Sequence, residues 1–160
     1  LHGIVTVLNT PFDQNNEIDL IALQKNITGA LEAGVSGFLV PAMASEVHKL
    51  SMKERAAMVD CALQTVNGKV PVFAGTGGAS VADSKKILKS YLDMGCKNVL
   101  FQIPFSNQDQ FKHDFLDLAE LDPDIIMLQD WDANGYGLKY RTINSWFTTY
   151  VHYTTIHPEL

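Results

Sequence analysis

Short apolar runs alternate along the chain with longer stretches of helical period. His2-Gly3-Ile4-Val5-Thr6-Val7-Leu8 is a β-branched run ending at Asn9-Thr10-Pro11-Phe12, where Pro11 has no N–H for a sheet ladder. It predicts a first strand, then a polar loop from Asp13 to Glu17. Asp19 stands as an N-cap, and Leu20, Leu23, Ile27, Ala30 and Leu31 share one helical face up to Gly34, a left-handed stop. Gly37-Phe38-Leu39-Val40 reads as the second strand. Ser51-Met52-Lys53-Glu54 is a Ser-x-x-Glu capping box opening a helix that Asn67-Gly68 ends. A third strand, Val70 to Ala74, leads through Gly75-Thr76-Gly77-Gly78 to a helix capped by Ser80 and closed by Gly95. A fourth strand, Asn98 to Ile103, precedes a helix from Gln108 to Leu121 that Asp122-Pro123 breaks. Ile125 to Gln129 is the fifth strand, and its loop runs from Asp130 to Gly137.

The order βαβαβαβαβ predicts an α/β protein, a parallel sheet with helices packed on it. Leu31-Glu32-Ala33-Gly34-x-x-x-Phe38-Leu39 is echoed by Leu92-Asp93-Met94-Gly95-x-x-x-Val99-Leu100, so two helices hand over to their strands in the same way. The tail from Lys139 to Leu160 has no clean period. Asn144 to Tyr150 allows a helix, while Thr148-Thr149-Tyr150-Val151 favours a strand.

The 160 residues fit one domain, and 46% hydrophobic against 19% charged residues is a globular composition. A net charge of -6 speaks against a nucleic-acid partner, since nothing would neutralise phosphates. No apolar run reaches membrane-spanning length, so no membrane partner is expected. Two cysteines, Cys61 and Cys96, both in helical or helix-end segments, fit buried reduced thiols and a cytoplasmic setting. Leu1 in first place suggests a piece of a longer protein.

In a parallel α/β sheet, ligands sit at the carboxyl ends of strands. The most suggestive such end is Leu39-Val40-Pro41-Ala42-Met43-Ala44-Ser45-Glu46, small residues followed by a lone carboxylate. A plain tight loop is the alternative. Gly75-Thr76-Gly77-Gly78 lacks the Walker lysine, so its glycines read as a tight turn. Glu46, Asp130 and Asp132 fall on one rim and suit either a divalent cation or simple solvation; solvation is favoured, and no metal is assigned. No histidine pair among His2, His48, His113, His152 and His157 has zinc spacing, and no cofactor is implied. His48 fits a titrating rim group or an exposed loop residue, and Trp131 and Tyr136 suit a pocket wall or a cover for the sheet end.

Five pieces in order resemble the dihydrodipicolinate synthase/N-acetylneuraminate lyase family. They are Thr10-Pro11-Phe12, Ala44-Ser45-Glu46, Leu50-Ser51-x-x-Glu54-Arg55, Pro71-Val72-Phe73-Ala74-Gly75-Thr76-Gly77 and Ile103-Pro104-Phe105-Ser106-Asn107. The resemblance runs from about Gly3 to Gly137. It implies a partial (β/α)8 TIM barrel of about five amino-terminal units over residues 1–137, with an irregular tail over 138–160, aberrant or truncated. It also implies a carbon–carbon lyase or aldolase acting on a 2-keto acid such as pyruvate through a Schiff base.

By that resemblance Met43, Ala44, Ser45, Glu46, Gly75 and Ser106 form the substrate site. The family's strand-two loop reads Gly-Thr-Thr-Gly-Glu and holds a carboxylate; here Ala42-Met43-Ala44-Ser45-Glu46 stands in its place. Backbone N–H groups and the Ser45 hydroxyl remain as donors. Losing a hydrogen bond to a charged group costs about 1.5–3 kcal/mol. Ser106 replaces a tyrosine, and Gln129 takes the place of the relay tyrosine, where a neutral amide cannot act as acid or base. The family's imine lysine lies on strand six, and no lysine follows Lys139. Lys49 and Lys139 lie in loops at the catalytic end and are expected to stay solvated and charged. The Schiff-base lysine is therefore expected to be missing. The alternative is a non-catalytic half barrel that self-associates or binds a partner chain. Its open edges predict a homo-oligomer.

Overall fold

A computed structural model describes residues 2–129 and 153–156. Six strands form one sheet in chain order, every neighbour parallel: β1 (Val5–Val7), β2 (Gly37–Leu39), β3 (Val72–Gly75), β4 (Asn98–Phe101), β5 (Ile125–Gln129) and β6 (Tyr153–Ile156). Four helices fill the connections: α1 (Leu20–Glu32), α2 (Met52–Val66), α3 (Val81–Asp93) and α4 (Gln108–Ala119). This is the expected alternation of parallel strands and helices.

Each helix begins on a side chain that caps it. Asp19 accepts the Ala22 N–H at 2.9 Å, Ser80 that of Asp83 at 3.1 Å and Asn107 that of Gln110 at 2.9 Å. At α2 the bonds are reciprocal: Ser51 Oγ accepts the Glu54 N–H, and Glu54 accepts the Ser51 N–H at 2.7 Å. The sequence echo is a shared helix end. Gly34 and Gly95 are left-handed, at φ +83° and +89°. Their N–H groups reach Leu31 O and Leu92 O, and the next residues bond back to Ala30 O and Tyr91 O. That is the paired closure in which a left-handed glycine serves best.

Strand alternation divides the apolar residues between two faces. Phe38, Val40, Val72 and Ala74 pack with α1, α2 and α3 residues such as Leu23, Ile27, Met58, Val59 and Tyr91. Val99, Phe101, Ile126 and Leu128 pack with Phe111, Phe115 and Leu118 of α4. On the opposite face Leu39, Phe73, Leu100 and Met127 form their own buried layer, one residue from each of four adjacent strands. A layer of that kind fills the inside of a curling parallel sheet.

Several boundaries move: β2 ends at Leu39 rather than Val40, β4 at Phe101 rather than Ile103, and α4 at Ala119 rather than Leu121. The first strand is shorter than the run from His2, and Val5–Val7 forms one edge of the described sheet. β3 begins at Val72 and extends to Gly75, while the Pro71 carbonyl accepts the Phe38 N–H at 3.0 Å. In the tail, a regular strand lies at Tyr153–Ile156 and pairs with β5 from Ile126↔Tyr153 to Gln129↔Ile156. The helix or strand expected over 144–151 lies outside the described residues, as do Asp130, Trp131, Asp132, Tyr136 and Lys139.

Candidate active-site rim

Because all the strands are parallel, their carboxyl ends share one rim, and Glu46 and Gly75 fall on it together. The loop after β2 forms a 3-10 turn, Met43–Ser45. Its internal bonds run from Ser45 N–H to Ala42 O and from Glu46 N–H to Met43 O, both 2.9 Å. The N–H groups of Met43 and Ala44 therefore have no acceptor inside the turn. Both side chains are exposed, Met43 by half.

Ser45 has a different task from the one expected. Its side chain is completely buried, and its hydroxyl donates to Leu8 O at 2.5 Å while accepting the Ala42 N–H at 3.0 Å. A hydroxyl has one proton to give, so this one is committed to the framework. Thr10 Oγ1 donates to Ser45 O at 2.6 Å, with Met58 Sδ 3.4 Å away.

Glu46 is left-handed, at φ 55°, and caps the turn. Its carboxylate accepts from Lys49 Nζ at 2.5 Å in an exposed pair. That hydrogen bond and the ammonium charge hold its pKa below the ordinary value. Gly75 is buried, and a Cβ there would overlap the Pro41 carbonyl. It is a packing glycine against the β2 loop. Ser106 and Gln129 sit further round the rim, Ser106 exposed in the β4 loop and Gln129 half-buried at the end of β5.

Two residues whose place at the rim the sequence reading did not single out, Arg55 and Thr76, tie the rim together, and a third, Gln102, lies beside them. Arg55, in the first turn of α2, donates Nε to Leu50 O at 3.1 Å, Nη2 to Val47 O at 2.7 Å and Nη1 to Gly77 O at 3.2 Å. One guanidinium thus joins the β2 and β3 loops. Thr76 is buried and gives both its N–H and its hydroxyl to Leu100 O, each at 3.0 Å. Gln102, after β4, lies so near Gly77 that a Cβ there would stand 3.0 Å from Gln102 Oε1. The signal for Arg55 was present in the Leu50-Ser51-x-x-Glu54-Arg55 motif: a five-donor side chain beside strand-end carbonyls.

Between these loops lies a cavity of about 440 Å³ lined by Met43, His48, Arg55, Gly77, Gln102 and Pro104, among others. Of the predicted site residues, Met43 alone is among its lining residues. No group of three or more potential metal ligands occurs among the described residues. Every lysine among the described residues lies off the strands, on helices, in loops or just before a strand. No helix among them is long and apolar enough to cross a membrane.

Residues 1–133 match the model of the dihydrodipicolinate synthetase family. The chain is 32% identical over 143 residues to the 4-hydroxy-tetrahydrodipicolinate synthase of Methanoculleus marisnigri, covering 86% of this chain and 49% of that protein. It is 32% identical over 106 residues to the enzyme of that name from Bacillus subtilis, covering 66% and 37%. A crystal structure of dihydrodipicolinate synthase superposes with a TM-score of 0.87 at 27% identity, over 94% of this chain and 53% of that one. N-acetylneuraminate lyase from Fusobacterium nucleatum shares the fold, with a TM-score of 0.86 at 15% identity over 97% and 56%. The chain spans about half the length of the curated relatives it matches. With the family model matched over most of its length, this chain belongs to the dihydrodipicolinate synthetase family.

Proposed function

We propose that the chain carries the keto-acid-docking part of a carbon–carbon lyase site, with a 2-keto acid such as pyruvate as its small-molecule partner. The supporting observation is the β2 loop, where the N–H groups of Met43 and Ala44 have no acceptor within their own turn. Their side chains bring no hydroxyl, and that of Ser45 is engaged elsewhere. A carboxylate docked here is held by the backbone alone. Gln129, at the relay position, moves no proton. The Schiff-base step needs a neutral amine, and the four residues of β6 are Tyr, Thr, Thr and Ile. On this reading the 160-residue chain binds the acid without forming an imine. It works in the cytoplasm, which suits its buried free thiols Cys61 and Cys96.

A specific observation favours a second reading, a non-catalytic half barrel that self-associates. Ile4, just before the edge strand, and Ile21, in the helix that follows it, are 70% and 66% exposed.

The test is pyruvate titration followed by amide NMR, with borohydride trapping and intact mass in parallel. The expected result is shifts at Met43 and Ala44 with no gain in mass. A reduced adduct would show an imine-forming lysine in this chain. Silence at both amides would remove the keto-acid site and leave the second reading.

A further inference from the structure

The ends of β1 and β2 are joined by two hydroxyls from different parts of the chain. Ser45 Oγ spans Leu8 O and the Ala42 N–H, and Thr10 Oγ1 closes on Ser45 O. These are 35- and 37-residue connections made at the rim, one of them wholly buried. We propose that Thr10 and Ser45 are positioning residues, a two-hydroxyl latch that lashes the β2 loop to the end of β1 and sets where Met43 and Ala44 stand. The functional meaning of the latch rests on the keto-acid reading above; the latch itself is a property of the free protein.

The chemistry favours such a role. A buried hydroxyl left unmatched is costly, so the Ser45 side chain holds the loop in the one arrangement that satisfies it. The Ala42 N–H it accepts belongs to the residue that opens the turn. Moving the loop away from Leu8 would break the bond to Leu8 O and the Thr10 bond together, while the Ala42 bond, internal to the loop, holds the shape of the turn. A docking loop without side-chain donors depends on such fixing, because affinity then comes from groups already in place.

The experiment compares Ser45→Ala, Thr10→Val and Thr10→Ser in the 160-residue chain. It reads pyruvate Kd from the amide shifts and hydrogen exchange residue by residue, well below the melting temperature. The expected result for Ser45→Ala and Thr10→Val is Kd raised about tenfold. Exchange at Ala42 should speed about tenfold, while Ala74 in β3 stays within about twofold. Thr10→Ser, which keeps the hydroxyl, should behave as the wild type. Exchange that rises uniformly, or a Kd that does not move, would overturn the positioning role. If the wild type ignores pyruvate, the keto-acid reading fails. The latch is then upheld by exchange changes confined to the loop and absent in Thr10→Ser, and overturned by their absence.

Discussion

The carbonyl oxygen of Pro41 occupies the place where a β-carbon on Gly75 would be. Both partners are backbone, so neither can swing aside. Gly75→Ala must push the β2 loop away from β3, and overpacking of this kind costs about 1–3 kcal/mol. The expected outcome is a lower urea midpoint at unchanged m value, with amide shifts concentrated at Pro41 to Glu46.

Tyr91 carries a buried hydroxyl without a hydrogen-bond partner among the described residues, in the packing of α3 against α2 and β3. Removing an unmatched polar group relieves its desolvation cost, so Tyr91→Phe should stabilise by about 1 kcal/mol. Burial also pushes the phenol up from 10.0 to about 12. Between those values the unfolded chain ionises and the folded one does not, so stability falls as pH rises through that window. The Tyr91→Phe variant should lose that part of the alkaline decline. Cys96, pushed by burial from 9.0 to about 11, contributes the same trend earlier, and Cys96→Ala should flatten it.

Glu46 and Lys49 test the opposite limit, an exposed pair. Lys49→Met should return the Glu46 pKa toward the ordinary 4.5, measured by carbon-13 NMR, and high salt should move it the same way. The sign is that of a depressed carboxylate: any stability it contributes is present above the unfolded pKa and is lost as pH falls through the folded one. Solvent screening at this site predicts an almost unchanged melting temperature for the variant.

Five of the seven exposed large apolar residues among those described, Ile4, Val7, Phe12, Leu20 and Ile21, lie on and around β1 and α1; the other two are Met43 and Met52. Self-association through that surface predicts a dimer or larger species in sedimentation at micromolar concentration. Ile4→Lys with Ile21→Lys should shift it to monomer. A wild-type monomer with a cooperative melt would exclude the association.

What the sequence shows well is what short-range chemistry decides. Asp19, Ser51 with Glu54, Ser80, Gly34 and Gly95 mark their helix ends because each acts within a few residues of itself. β6 escapes this logic. Tyr-Thr-Thr-Ile lies in a segment rich in threonine and tyrosine, and its register against Ile126 to Gln129 depends on the partner strand. The site divides in the same way. The rim and the loop after β2 follow from the βα order. The burial of Ser45 depends on a carbonyl 37 residues away, and the bridging role of Arg55 on the Gly77 carbonyl of a second loop, 22 residues on. The motif around Arg55 marks the side chain, but no local pattern encodes its partner in the other loop.

The strand order has a consequence for biogenesis. Each strand pairs only with its immediate predecessor and successor along the chain. Every new pairing therefore closes a short loop, and nothing already made has to open to admit the next unit. A nascent polypeptide leaving the ribosome can accordingly lay down this sheet from one side. The cost of that economy is an unfinished margin carried forward at each stage of synthesis.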